Sequence, residues 1–217
     1  MARPKTYTVN DNYFNKIDRE DKAYWLGFLY ADGYITKGGF GISLVSTDKE
    51  HLQLMLDDMD SNYKIKTYTN SSKNKYGATC YCRVLINSQE MRKHIISYGI
   101  VEHKSLILEP PKVKFETKEL ERHFLRGFFD GNGSVSGLKR KTYALKIVST
   151  NSFLDWFASK INYKYKKLHK RRPNDIVSSL EIAGINMVKK YGEYLYNNST
   201  RYLKRKYDKL QYINDSE

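Results

Sequence analysis

Asp32 and Asn132 stand at matching places in two similar segments, Trp25-Leu-Gly-Phe-Leu-Tyr-Ala-Asp-Gly33 and Leu125-Arg-Gly-Phe-Phe-Asp-Gly-Asn-Gly133. By itself Asp32-Gly33 is an ordinary turn dipeptide. Placed symmetrically at the ends of two paired elements, a carboxylate invites a divalent cation, and carboxylate-held metal ions activate water and stabilise the leaving oxygen in phosphodiester hydrolysis. Two further matches follow in the same order. Val45-Ser-Thr-Asp48 pairs with Val148-Ser-Thr-Asn151 at an offset of 103, and Asn62-Tyr-Lys-Ile-Lys66 pairs with Asn162-Tyr-Lys-Tyr-Lys166 at an offset of 100. The chain therefore reads as a fused duplication, one polypeptide imitating a two-fold dimer.

The elements that must position these residues repeat as well. A helix over about 21–32 ends at Gly33, where a left-handed C′ residue is expected, and strands around Gly38-Gly39 follow, ending in the alternating run 41–46. Asp48 is expected to cap a helix to about Met59, followed by strands near 63–69 and 79–87 and a helix from Ser88 to about Tyr98. The second half predicts a helix over 117–131, strands near 133–138 and 142–149, a helix over 151–161, strands over 163–172 and 176–182, and a helix over 184–197. A basic tail helix over about 199–213 is added. Gly27 with Ala31, and Gly127 with Gly131, put small residues one turn apart in each motif helix. Glycine costs about 1 kcal/mol in a helix interior. Its repeated use predicts that the two helices pack backbone to backbone, with Asp32 and Asn132 side by side at their ends. A carboxylate there opposes the helix dipole, and a bound cation would compensate.

Thirty-eight Lys and Arg against 24 Asp and Glu give a net charge of +14, which predicts salt-dependent attraction to a polyanion. Lys164, Lys166, Lys170 and Arg172 share strand parity, and Lys64, Lys66 and Tyr68 repeat the pattern more weakly in the first half. One such row is ordinarily a solvated face. Two rows at matching places suit sheets that follow phosphates and reach base edges in the major groove of duplex DNA. No apolar run approaches the roughly 20 residues of a spanning helix. The opening residues lack the apolar core of a signal peptide, so an intracellular protein without a targeting signal is expected. Cys80 and Cys82 lack the geometry of a disulfide, and the five scattered histidines form no zinc spacing.

At residues 25–33 and 125–133 the sequence resembles the LAGLIDADG homing endonucleases, specifically the single-chain members with two motif copies, and the resemblance extends over essentially residues 20–210. It implies an α+β fold in which two αββαββα halves form a saddle of antiparallel sheets over DNA, with the motif helices packed at the centre. The halves would be 1–109 and 117–217, joined by a linker at 110–116 around Pro110-Pro111. The resemblance also implies a monomer cutting both strands of a long, nearly asymmetric double-stranded DNA site with Mg2+, Ca2+ serving as a non-cleaving substitute. The family's metal-binding acid transfers to Asp32 and, as a departure, to Asn132, whose amide oxygen brings no charge. The neighbouring Ala31 and Gly131 join the metal site. By position the family's basic residues beside the active site are Lys104 and Lys206, which lie 72 and 74 residues beyond Asp32 and Asn132. Asp130, two residues back and roughly 200° around the helix, is not expected to replace Asn132. Lys139 and Arg140, near the second hairpin, are counted among the DNA contacts. The alternative is a DNA-binding regulator, or a maturase acting on intron RNA, on the same scaffold.

Overall fold

The computed structural model describes residues 6–70, 79–165 and 176–215. The first half runs α1 (Glu20–Asp32), β1 (Gly33–Thr36), β2 (Gly39–Val45), α2 (Lys49–Asp58), β3 (Lys66–Asn70), β4 (Thr79–Ile86) and α3 (Gln89–Ser97). The second runs α4 (Lys118–Asn132), β5 (Gly133–Ser136), β6 (Ala144–Thr150), α5 (Asn151–Lys160), β7 (Val177–Ala183), α6 (Ile185–Tyr196) and α7 (Lys204–Asn214). The strands form two antiparallel sheets, ordered β1-β2-β4-β3 and, among the described residues, β5-β6-β7.

Every residue from Ala23 to Ala31 is buried, as a helix apolar all round must be. Its partner α4 is entered through Thr117, whose hydroxyl accepts the Leu120 N–H at 3.2 Å. The two helices pack as tightly as backbones allow. A β-carbon at Gly27 would lie 2.0 Å from the Phe124 carbonyl oxygen, and one at Gly127 would lie 2.0 Å from that of Tyr24. Residues 24 and 27 thus mirror 124 and 127 across a pseudo-two-fold axis, and aromatic side chains such as Phe128 against Phe153 (centroids 4.1 Å apart) fill the space around it.

Several sequence expectations are corrected by tertiary contacts. Gly33 is not left-handed: it lies at φ −72°, ψ 155° and leads straight into β1, with its N–H bonded to the Leu29 carbonyl. Asp48 occupies the N-cap position of α2 without capping, because Arg205 Nε reaches both carboxylate oxygens at 3.1 and 3.0 Å. β3 begins at Lys66 rather than 63, since Tyr63 and Ile65 turn onto the core. The tail helix begins at Lys204, because the preceding segment is a docked strap rather than a first turn. Of the strand expected over 163–172, residues 163–165 belong to no ladder and the remainder lies outside the described residues. Among the described residues no helix is long and apolar enough to cross a membrane.

Candidate active site

The paired helices end together. A β-carbon at Gly131 would lie 2.1 Å from the Ala31 β-carbon and 3.3 Å from Asp32 Oδ2, so the Asp32 carboxylate rests against the end of α4. Asn132 ends that helix and is partly exposed, as Asp32 is. Burial raises the Asp32 carboxyl above the ordinary carboxylate range, opposed by the positive charges of Lys206, Lys104 and Arg205, in that order. The helix C-terminus works in the same direction as burial.

Lys104 opens a short 3-10 turn, Lys104–Leu106, which His103 enters through the left-handed region at φ 54°. Its Nζ donates to the carbonyls of Ala31 at 2.9 Å and Gly33 at 2.5 Å, one on each side of Asp32. Burial lowers this ammonium to about 8, with Asp32 opposing. Lys206 differs from it. Only 2% exposed, it donates to Phe129 O at 2.8 Å and Asp130 O at 2.5 Å. Burial pushes it down to about 8 as well, while Asp130 is the strongest influence upward.

Asp130 faces the core, as its angular offset from residue 132 requires. It accepts from Tyr24 Oη at 2.8 Å, from the Leu203 N–H at 2.8 Å and from the Tyr196 hydroxyl. Burial raises this carboxyl too. Tyr24 Oη also contacts His51 Nε2 at 2.9 Å. The single phenolic proton is committed to Asp130, so His51 must donate from Nε2, and burial lowers it to about 3.

Sequence reasoning missed the strap that carries Lys206 across to the first half. Glu20 accepts from Thr200 N at 2.7 Å, Thr200 Oγ1 at 2.8 Å, Arg201 N at 3.2 Å and the fully buried Arg126 at 2.7 Å. Arg201 forms a two-point pair with Asp58, each bond 2.7 Å, and Arg205 takes Asp48. The available signal was Arg126, a charge inside a motif helix that had to find an acidic partner.

On the first sheet, the register puts Lys66 beside Arg83 and Tyr68 beside Tyr81 on the face away from the core. Tyr68 and Tyr81 stack at 5.1 Å, and the Arg83 guanidinium lies 4.7 Å above the Tyr68 ring with Nη2 3.0 Å from its hydroxyl. Lys64 is exposed just before β3. On the second sheet the corresponding face pairs Lys146 with Glu181 and Val148 with Ser179, more nearly neutral than expected. Lys139 and Lys164 are exposed, the Arg140 side chain lies outside the described residues, and so do Lys166, Lys170 and Arg172. Among the described residues no group of three or more His, Cys, Asp or Glu is placed to hold a metal ion.

The LAGLIDADG-like domain family matches residues 19–97, and the WhiA LAGLIDADG-like domain family matches residues 121–186. No curated protein matches the chain in sequence. Among solved structures, the N-terminal LAGLIDADG domain of DUF199/WhiA aligns with a TM-score of 0.52 at 16% identity, covering 86% of this chain and 89% of that one. The LAGLIDADG meganuclease I-AabMI, bound to uncleaved DNA, aligns at 0.54 and 15% identity over 88% and 87%. The homing endonuclease I-LtrWI, bound to target DNA, aligns at 0.51 and 15% over 94% and 91%. These likenesses show a fold shared by nucleases and by WhiA. With one such domain matched in each half around the two motif helices, the chain belongs to the LAGLIDADG family in its single-chain, two-motif form.

Proposed function

We propose that this protein is a site-specific endonuclease for double-stranded DNA whose working centre is Asp32. The observation that carries the reading is the seat of Asp32: a partly buried carboxylate at the joint of two helix ends, with the Lys104 ammonium bonded to the carbonyls on either side of it. Oxygen donors of this kind fit Mg2+, which binds through one or two carboxylates together with substrate phosphate oxygens and needs no cage made wholly of protein. Asp32 would hold the ion, joined by the Asn132 amide oxygen and the carbonyls of Ala31 and Gly131. When bound, the ion supplies an activated water and a counter-charge for the departing oxygen. Lys104, still mostly protonated at neutral pH, donates to a phosphate oxygen and offsets charge gathering there.

The outer face of the first sheet, with Lys66, Tyr68, Tyr81 and Arg83, supports contact with a DNA groove, and the exposed Lys64, Lys139 and Lys164 add positive charge; Arg140, Lys166, Lys170 and Arg172 are proposed as further contacts on their sequence alone. Internal pseudo-symmetry supports a monomer spanning a long, nearly asymmetric site, acting wherever its target DNA is kept. Duplexes selected from a random library, cloned into a supercoiled plasmid and incubated with Mg2+ or Ca2+, test the reading: Mg2+-dependent strand scission is expected, and binding without scission in Ca2+. A second reading, a DNA-binding regulator or an RNA-directed maturase, is favoured by Asn132 and by the WhiA-type match of residues 121–186. Binding without scission in Mg2+ would favour it.

A further inference from the structure

The two sides of the helix joint are unequal in a way that one substitution does not explain. On the first side Asp32 provides a carboxylate, and the partly exposed Lys104 holds the carbonyls of residues 31 and 33, which flank it. The counterparts across the pseudo-two-fold are residues 131 and 133. Lys206 instead holds the carbonyls of 129 and 130, two to three residues deeper into α4, or roughly 3–5 Å at 1.5 Å per residue.

Named groups keep it there. Asp130 faces Lys206 and fastens the start of α7 through the Leu203 N–H. Arg205, beside Lys206 in the chain, is itself anchored to Asp48, Arg201 anchors the strap to Asp58, and Tyr196 and Tyr24 complete the partners of Asp130. The position equivalent to Asp130 in the first half is Tyr30, whose hydroxyl bonds the Tyr98 carbonyl at 2.6 Å, so the acid that acts on Lys104 is Asp32 itself. With 2% of its surface exposed, Lys206 cannot meet a phosphate without dismantling this pin. Its charge still favours the ionised form of Asp32, which adds to the first side rather than serving the second.

We propose that the protein nicks DNA, cutting one strand only, because the side of Asn132 lacks its carboxylate and, among the described residues, the ammonium matching Lys104 is buried. Resting on the endonuclease reading above, this assigns the reaction to the Asp32–Lys104 side. There the oxygen of a water forms a new bond to phosphorus, one phosphate ester bond breaks, and the departing sugar oxygen takes a proton from that water. Lys206 is a positioning residue, tying α7 to α4 and biasing Asp32.

Two measurements test this. In the metal-free protein, acetylation by an N-hydroxysuccinimide ester with peptide mapping is expected to modify Lys104 at least tenfold faster than Lys206, the two becoming equal in denaturant. Equal rates in the folded protein would overturn the pinned position. With a library-selected duplex end-labelled on either strand and Mg2+ present, scission is expected in one strand only, and a plasmid carrying the site is expected to accumulate open circles without linear product. Asp32→Asn removes the nick, and Asn132→Asp alone leaves the second strand cut at least tenfold more slowly than the first. Comparable cutting of both strands, by the parent or by Asn132→Asp, overturns the inference while the endonuclease reading stands. Bound but uncut DNA overturns both.

Discussion

At the scale of single residues, burial has moved two lysines to about 8 and two nearby carboxyls upward. Between pH 8 and the unfolded lysine value of about 10.5 the unfolded chain binds more protons than the folded one, so stability rises with pH across that window. Lys206→Met keeps the stem and removes the proton equilibrium. Urea unfolding is expected to show a smaller gain from pH 8 to 10.5 in that variant than in the parent. For Lys104 the consequence bears on the proposed function: the ammonium proposed to meet phosphate gives up its proton as pH rises through about 8. The affinity deficit of Lys104→Met in Ca2+ is expected to shrink severalfold between pH 6.5 and 9.5, and a constant deficit would remove its charge from the site. Asp32, Asn132 and the helix glycines were legible in the sequence because the repeat aligns them. The burial of Lys206 was not, since position in the chain says nothing of which carbonyls an ammonium will reach.

At the scale of elements, the central helix pair tolerates no side chain at its contact. Gly27→Ala and Gly127→Ala would each set a methyl about 2.0 Å from a carbonyl oxygen. Each is expected to lower stability by about 1–3 kcal/mol or more by separating the helices, read as a shifted urea midpoint. The polar chain behind the pair adds an acid weakness. His51, at about 3, and His123, at about 4, bind fewer protons folded than unfolded. Both therefore withdraw stability as pH falls from about 6.5 toward 3, while the raised Asp32 and Asp130 work in the opposite direction. His51→Gln is expected to lose less stability than the parent between pH 7 and 4.5. Helices and hairpins were legible from periodicity, and the structure adds caps at Thr117 and Ser88, whose side chains accept the Leu120 and Met91 N–H groups. Asp48 and Gly33 were misread because each is claimed by a partner distant in sequence, Asp48 by Arg205 and Gly33 by its strand pairing with Ile42.

At the scale of the molecule, a net charge of +14 and a sheet face bearing Lys66 and Arg83 predict DNA affinity that falls steeply with salt. Six to ten phosphate contacts correspond to a loss of roughly 10^3 to 10^5 in affinity between 50 and 200 mM salt. A nearly flat dependence would remove the groove-binding account. The duplicated architecture was legible from three matched segments, whereas the strap that crosses from the second half to Glu20, Asp58 and Asp48 carries no repeat signature and emerged only from contacts. The central claim is that Asp32 is the carboxylate on which DNA cleavage depends. Single-turnover cleavage of a selected duplex, with protein in excess, tests it most directly in the parent and in Asp32→Asn. The account predicts a fall of at least about 10^3 in rate with affinity in Ca2+ changed by less than threefold. Equal rates in the two proteins would contradict it.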